Sequence, residues 1–193
     1  MRIFLAGASG VLGQRLLPIL LADGHVVAAM TRTAAKAQGL RVCGAEAVVC
    51  DVFDADALTS AVTGFAPDLV MHQLTDLPDD PRRIAEASPQ NSRIRREGTA
   101  NLLAAARAAK AARFLAQSVA WTLPGDGCAA VRDLEQMVLS APGVVIRYGQ
   151  FYGPGTYHAV RPDAPAIEVT EAARRTARLL DARPGIITVA EGA

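Results

Sequence analysis

The chain has 193 residues with 20 basic and 19 acidic side chains, a formal charge of +1. Hydrophobic residues make up 51% and charged residues 20%, enough apolar side chain for a core and too little charge for disorder. The charge balance argues against a dedicated nucleic-acid binder, no apolar run reaches membrane-span length, and the size suits one domain.

Residues 3–6 are a short apolar run leading into glycines, the pattern of a parallel strand buried on both faces and too short for a signal peptide. A helical pattern follows over residues 11–23, apolar at Leu12, Leu16, Ile19 and Leu20; Gly24 stops it and Pro18 is expected to kink it. Strands are predicted at 26–30, 45–50, 68–72, 114–118 and 144–148, with helices at 54–62, 92–109 and 133–140. Stretches 76–90, 123–127 and 153–165 read as irregular, followed by a helix at 169–180 and a strand at 186–189. The alternation predicts an α/β fold, a doubly wound parallel sheet of Rossmann type over residues 1–150. Residues 151–193 form a reduced substrate-side segment that returns to the sheet. Cys43, Cys50 and Cys128 are isolated, so no disulfide framework or metal site is expected and free cytoplasmic thiols are.

Gly7, Gly10 and Gly13 form G-x-x-G-x-x-G between the first strand and first helix. The first glycine allows a tight turn, the second lets backbone approach a pyrophosphate, and the third lets helix and sheet pack closely. With 16 glycines a chance match is about one in ten over the chain, so position after a strand and before a helix carries the reading. An NAD site usually has an acid at the end of strand two; here Met30, Thr31, Arg32 and Thr33 stand there. Arg32 suits a 2′-phosphate, with Thr31 or Thr33 donating to it, which favours NADP over NAD; the alternative is a solvated loop arginine. Asp51 is either an acceptor for the adenine amino group or a turn acid ahead of Asp54.

Together with this loop, CDVFD at 50–54, VMHQLTDL at 70–77, EGTANLLAAARAA at 97–109, FLAQSVAW at 114–121 and VVIRYGQFYGPGT at 144–156 resemble, in order, the extended short-chain dehydrogenase/reductase (epimerase/dehydratase) family. The resemblance implies a nicotinamide-dependent oxidoreductase or epimerase/dehydratase-type protein acting on a small carbonyl or hydroxyl substrate. By it, Gly7, Ala8, Ser9, Gly10, Val11, Leu12 and Gly13 match the pyrophosphate loop, and Asp51 and Val52 the adenine-contacting pair. His72, Gln73 and Leu74 match the segment along the cofactor riboses, Ser118 the serine that bonds the substrate oxygen, and Tyr152, Gly153 and Pro154 a turn on the substrate side. Family dimers imply a homodimer through the helices at 92–109 and 133–140.

The family's Tyr-x-x-x-Lys pair, whose tyrosine is the general acid/base, is missing. Four residues after Tyr148, Tyr152 and Tyr157 stand Tyr152, Thr156 and Arg161, and the chain's two lysines, Lys36 and Lys110, follow Arg32 and Ala106 at that spacing. Aligning Glu135 with the family's glutamate puts Gly127 and Val131 where Tyr and Lys belong. Tyr152 or Tyr148, beside Arg147 or Arg132, is the candidate substitute acid, and packing on a strand and turn is the other reading. His158 is a loop acid or an exposed side chain. Arg82, Arg83, Arg93, Arg95 and Arg96 are an anion-facing patch or a solvated helix face, and the family usually has Asn where Arg95 stands. Two functions stay open: an NADP-dependent enzyme using Ser118 and Tyr152, or a non-catalytic NADP sensor like the NmrA-like relatives.

Overall fold

The computed structural model describes residues 1–78, 80–163 and 165–192. Asp79 and Ala164, both in stretches expected to be irregular, and Ala193 lie outside the described residues. Strand β1 (Arg2–Ala6) shows why the sheet is buried on both sides: Ile3 and Leu5 face one apolar layer, Phe4 and Ala6 the other. The same division runs through β2 (Val26–Thr31), β4 (Leu69–His72), β5 (Arg113–Val119) and β6 (Val144–Tyr148). With β3 (Glu46–Val49) and β9 (Gly185–Val189) as edges, the order is β3-β2-β1-β4-β5-β6-β9, every pair parallel. This is the expected doubly wound sheet, and residues 185–189 do return to it.

Helices α1 (Gly13–Ala22), α2 (Ala34–Val42) and α7 (Val169–Ala177) cover one face. On the other lie α3 (Ala55–Phe65), α5 (Thr99–Ala108) and α6 (Asp126–Ser140). Leu16, Leu17 and Leu20 of α1 are fully buried, each worth about 1.5–3 kcal/mol of transfer free energy. The helix runs unbroken through Pro18.

Several elements depart from expectation. The stretch 92–109 is composite: α4 (Ser88–Arg93), a π-helical turn at Ile94–Gly98, then α5. Helix α6 starts at Asp126, because Gly125 (φ +54°) turns the chain and Asp126 puts negative charge in the first turn. Helix α2 was not anticipated, since only Ala37 and Leu40 form its buried stripe. Strands β7 (Gln150–Tyr152) and β8 (Ala166–Glu168) pair parallel in a separate small sheet and are too short for a periodic signal.

Candidate active site

Strand β1 is flanked by β2 on one side and β4 on the other, with Ala6 in register with both Met30 and His72. A crevice opens at such a reversal of strand order, at the carboxyl ends of the strands. The glycine loop occupies it. Gly7 holds φ +94°, and a Cβ there would lie 2.5 Å from the Gln73 carbonyl oxygen. One on Gly13 would lie 2.2 Å from the Gly7 carbonyl oxygen, so loop and helix pack backbone to backbone. A Cβ on Gly10 would meet only the Gly7 carbonyl oxygen, at 3.3 Å, and no side chain caps the N-terminus of α1. The loop thus presents bare backbone and a helix N-terminus to the crevice, which fits an anionic pyrophosphate. Ser9 is fastened to the end of β2 by a 3.0 Å contact between its Oγ and Thr31 Oγ1. Arg15, which carried no sequence signal, donates to the Val11 carbonyl at 2.7 Å and to the Pro154 carbonyl, tying the Tyr152–Gly153–Pro154 turn to this helix.

Thr31 is buried, and its Oγ1 also accepts from the Thr33 amide at 3.2 Å. Arg32 is not a free loop arginine. Its guanidinium forms a forked pair with Asp76, Nη2 to Oδ1 at 2.7 Å and Nη1 to Oδ2 at 3.2 Å. The exposed Asp51 accepts from the Phe53 amide at 3.0 Å, while the buried Val52 gives its carbonyl to Asn101 Nδ2. Arg93 stacks over the Phe53 ring, 3.7 Å from its centroid.

His72 is fully buried. Its Nδ1 accepts from the Leu74 amide at 3.2 Å, so the proton sits on Nε2, which donates to Thr99 Oγ1 at 3.0 Å. Burial first, then the nearby Arg95 charge, push its pKa down to about 4, so it is neutral at ordinary pH. It therefore shapes the Gln73–Leu74 segment rather than carrying charge. Gln117 Nε2 adds a 2.8 Å bond to the Leu74 carbonyl.

Beyond β5 and β6 lies an open cavity of about 670 Å³, lined by residues that include Trp121, Cys128, Arg132, Glu135, Arg147 and Glu191. Ser118 and Arg147 stand in register on neighbouring strands and meet Glu135 of α6. Ser118 Oγ donates to Glu135 Oε1 at 2.6 Å; Arg147 binds the same carboxylate through Nε at 2.8 Å and Nη2 at 2.5 Å. Burial alone would raise the Glu135 pKa, but the bonds from Arg147 and Ser118 prevail and hold it below the usual carboxylate range. An arginine inside the apolar strand run VVIRY was the sequence signal for a buried acidic partner.

Tyr152 donates to Glu191 Oε1 at 2.6 Å, and that carboxylate first, with burial second, raises the phenol pKa. Arg161 Nε holds the other oxygen of Glu191 at 3.0 Å. Ser118 and Tyr152 thus reach the cavity wall through Glu135 and Glu191. Tyr148 is buried against Thr176, 2.7 Å away, and burial lifts its pKa well above that of a free phenol. Neither phenol has a lowered pKa, so neither is activated as an acid by a nearby arginine. Of the basic cluster, Arg82, Arg83, Arg93 and Arg96 pair with Asp80, Glu86, Glu97 and Asp126/Asp133, the pattern of a solvated face.

The model of a family described as NAD(P)H-binding matches residues 7–148. A 3-diazoavenalumate denitrifying reductase from a Streptomyces species is 42% identical over 187 residues, covering 82% of this chain and 59% of that protein. A UDP-glucose 4-epimerase from Mycolicibacterium smegmatis is 32% identical over 114 residues, 56% of this chain and 36% of that protein. The chain therefore spans little more than half the length of the nearer of these relatives. Among solved structures, the UDP-glucose 4-epimerase of Thermus thermophilus in complex with NAD superposes with TM-score 0.82 at 19% identity, over 100% of this chain and 78% of that one. No helix among the described residues is long and apolar enough to cross a membrane.

Proposed function

The chain belongs to the NAD(P)H-binding family, and from that premise we propose that it is an NADPH-preferring reductase of a small electrophile that takes hydride without a proton donor from the protein. In this reading Gly7, Ala8, Ser9, Gly10, Val11, Leu12 and Gly13 hold the pyrophosphate, with Thr31 and Arg32 at the 2′-phosphate. Asp51 and Val52 meet the adenine, and His72, Gln73 and Leu74 run along the riboses. When bound, the reduced nicotinamide supplies hydride. The 670 Å³ cavity takes the substrate, with Ser118 and Tyr152 behind its wall, bonded to the lining residues Glu135 and Glu191.

The observation that carries the reading is the state of the hydroxyl groups. Ser118 spends its proton on a carboxylate held ionised by Arg147, Tyr152 spends its own on Glu191, and the Tyr-x-x-x-Lys pair is missing. Reducing a carbonyl to an alcohol needs hydride and a proton, and these groups are poor sources of the second. A diazonium carbon needs hydride alone: the C–H bond forms, the C–N bond breaks, and N2 leaves with its electron pair. The name of the Streptomyces relative, a denitrifying reductase of a diazo compound, supports this substrate class.

The test is NADPH consumption with an aryl diazonium salt, an aldehyde and a ketone, each corrected for the reaction without protein. Deuterated NADPH should leave deuterium at the former diazo carbon. Turnover of the carbonyls but not the diazonium salt rejects the proton-free reading. Tight NADPH binding with no turnover of any of them selects the non-catalytic sensor.

A further inference from the structure

The Arg32–Asp76 pair spans the two loops that bracket the crevice. Arg32 follows β2 and Asp76 follows β4, and these strands lie on either side of β1. The pair is forked and end-on, so the Nη1–Nη2 edge of the guanidinium, one of the two edges that suit a planar or tetrahedral anion, is already engaged. Asp76 is the less exposed partner, at 24% against 61% for Arg32, and its amide is fixed by a 3.2 Å bond to Asn91 Oδ1 at the start of the composite helix. Asp76 is thus held in place, and Arg32 reaches to it. Asp51 adds a second negative charge near the same guanidinium.

We infer that Asp76 is an internal counter-ion that competes with the cofactor's 2′-phosphate for Arg32, and so sets how strongly the chain discriminates NADPH from NADH. This rests on the reading of Arg32 as the 2′-phosphate residue. A phosphate that takes the Nη1–Nη2 edge of Arg32 displaces a carboxylate, and one that takes the Nε edge still sits beside the Asp76 charge, so either way Asp76 opposes a dianionic group. A cofactor with a 2′-hydroxyl displaces nothing: the pair stays closed, and Asp76 can accept from that hydroxyl. The pair therefore narrows the gap between the two cofactors relative to an unpaired arginine, in the manner of a built-in competitor.

The geometry also separates Asp76 from the acids that hold structure alone. Asp80 pairs with Arg82 only two residues away, and Glu97 with Arg93 one helical turn away. The Arg32–Asp76 pair joins positions 44 residues apart, from two different crossovers, at the mouth of the expected binding crevice.

Calorimetric titration of the intact chain with NADPH and with NADH, for the parent, Asp76→Asn and Arg32→Ala, tests the inference. Asp76→Asn should tighten NADPH by up to about fivefold, the size of a partly exposed ion pair, and leave NADH unchanged or slightly weaker. Raising the salt concentration should shrink this gain, since it is electrostatic. An Asp76→Asn protein whose NADPH-to-NADH affinity ratio matches the parent overturns the inference, and so does one in which NADPH weakens. Arg32→Ala reads the underlying assignment separately. If it abolishes the preference while Asp76→Asn does nothing, only the counter-ion role is lost. If Arg32→Ala leaves the ratio untouched, the 2′-phosphate assignment falls as well. Circular-dichroism melting of both variants identifies any loss of fold, and Asp76→Ser, which removes the charge with less bulk, should reproduce the Asp76→Asn ratio.

Discussion

At the scale of single residues, the charge states of His72 and Glu135 govern how the protein responds to acid. Folded His72 resists protonation down to about pH 4, whereas an unfolded imidazole takes a proton near pH 6.5. The stability it contributes is complete above about pH 6.5 and is lost as pH falls toward 4, by roughly 3 kcal/mol. Urea titrations across that window should show the slope in the parent and its loss in His72→Asn. Glu135 adds a second depressed group, whose contribution is present above the ordinary carboxylate range and fades below it. Replacing it by Ala would leave Arg147 and Ser118 without their shared acceptor. Arg147 keeps 40% exposure, so the cost is discounted to about 1–2 kcal/mol, read as a lower urea midpoint at neutral pH. Gly13→Ala should do more harm: the added Cβ meets backbone at 2.2 Å, so it should both abolish NADPH binding in the calorimeter and lower the melting temperature.

At the scale of elements, the π-helical turn at Ile94–Gly98 is pinned from outside. Arg96 reaches from it to Asp126 at 2.7 Å and to Asp133 at 2.5 Å, clamping the first two turns of α6. All three side chains are substantially exposed, so Arg96→Ala should lower the denaturant midpoint only slightly. The α6 boundary also shows where the sequence could be read and where it could not. Gly7, Gly10 and Gly13 were legible because three small residues at fixed spacing satisfy one local packing demand. The strands were legible because β1, β4 and β6 are built on continuous apolar runs, residues 3–6, 69–71 and 144–146. The start of α6 was not, since its first turn is Asp-Gly-Cys and only Gly127, packed near Leu123, needs to be small there. Asp76 was unreadable for another reason: its partner Arg32 is 44 residues away, and only the sheet order brings the two loops together. The Ser118–Glu135–Arg147 trio lay between. Each member stood out alone, but the tertiary crossing of α6 over β5 and β6 made them one group.

At the scale of the whole molecule, the parallel sheet gathers every loop described above at one edge, so cofactor binding should stabilise the entire fold. At a hundredfold excess over the dissociation constant, NADPH should add about 2.7 kcal/mol, seen as a rise in melting temperature. Absence of any rise with either nicotinamide cofactor would contradict the assignment of the crevice. The arrangement of α1 and α7 has a different consequence. The two helices share one apolar layer, in which Leu16, Leu17 and Leu20 lie with Ala172 and Ala173, and Tyr148 is bonded to Thr176 beneath them. Helix α1 thus meets α7 only after the residues 23–168 that separate them have been made. Until then the side of its leucine stripe that faces α7, rather than the sheet, is open to solvent and to other nascent chains. Such distant pairing slows acquisition of the native state, and it makes the interval before α7 emerges the time at which this protein is most dependent on chaperones.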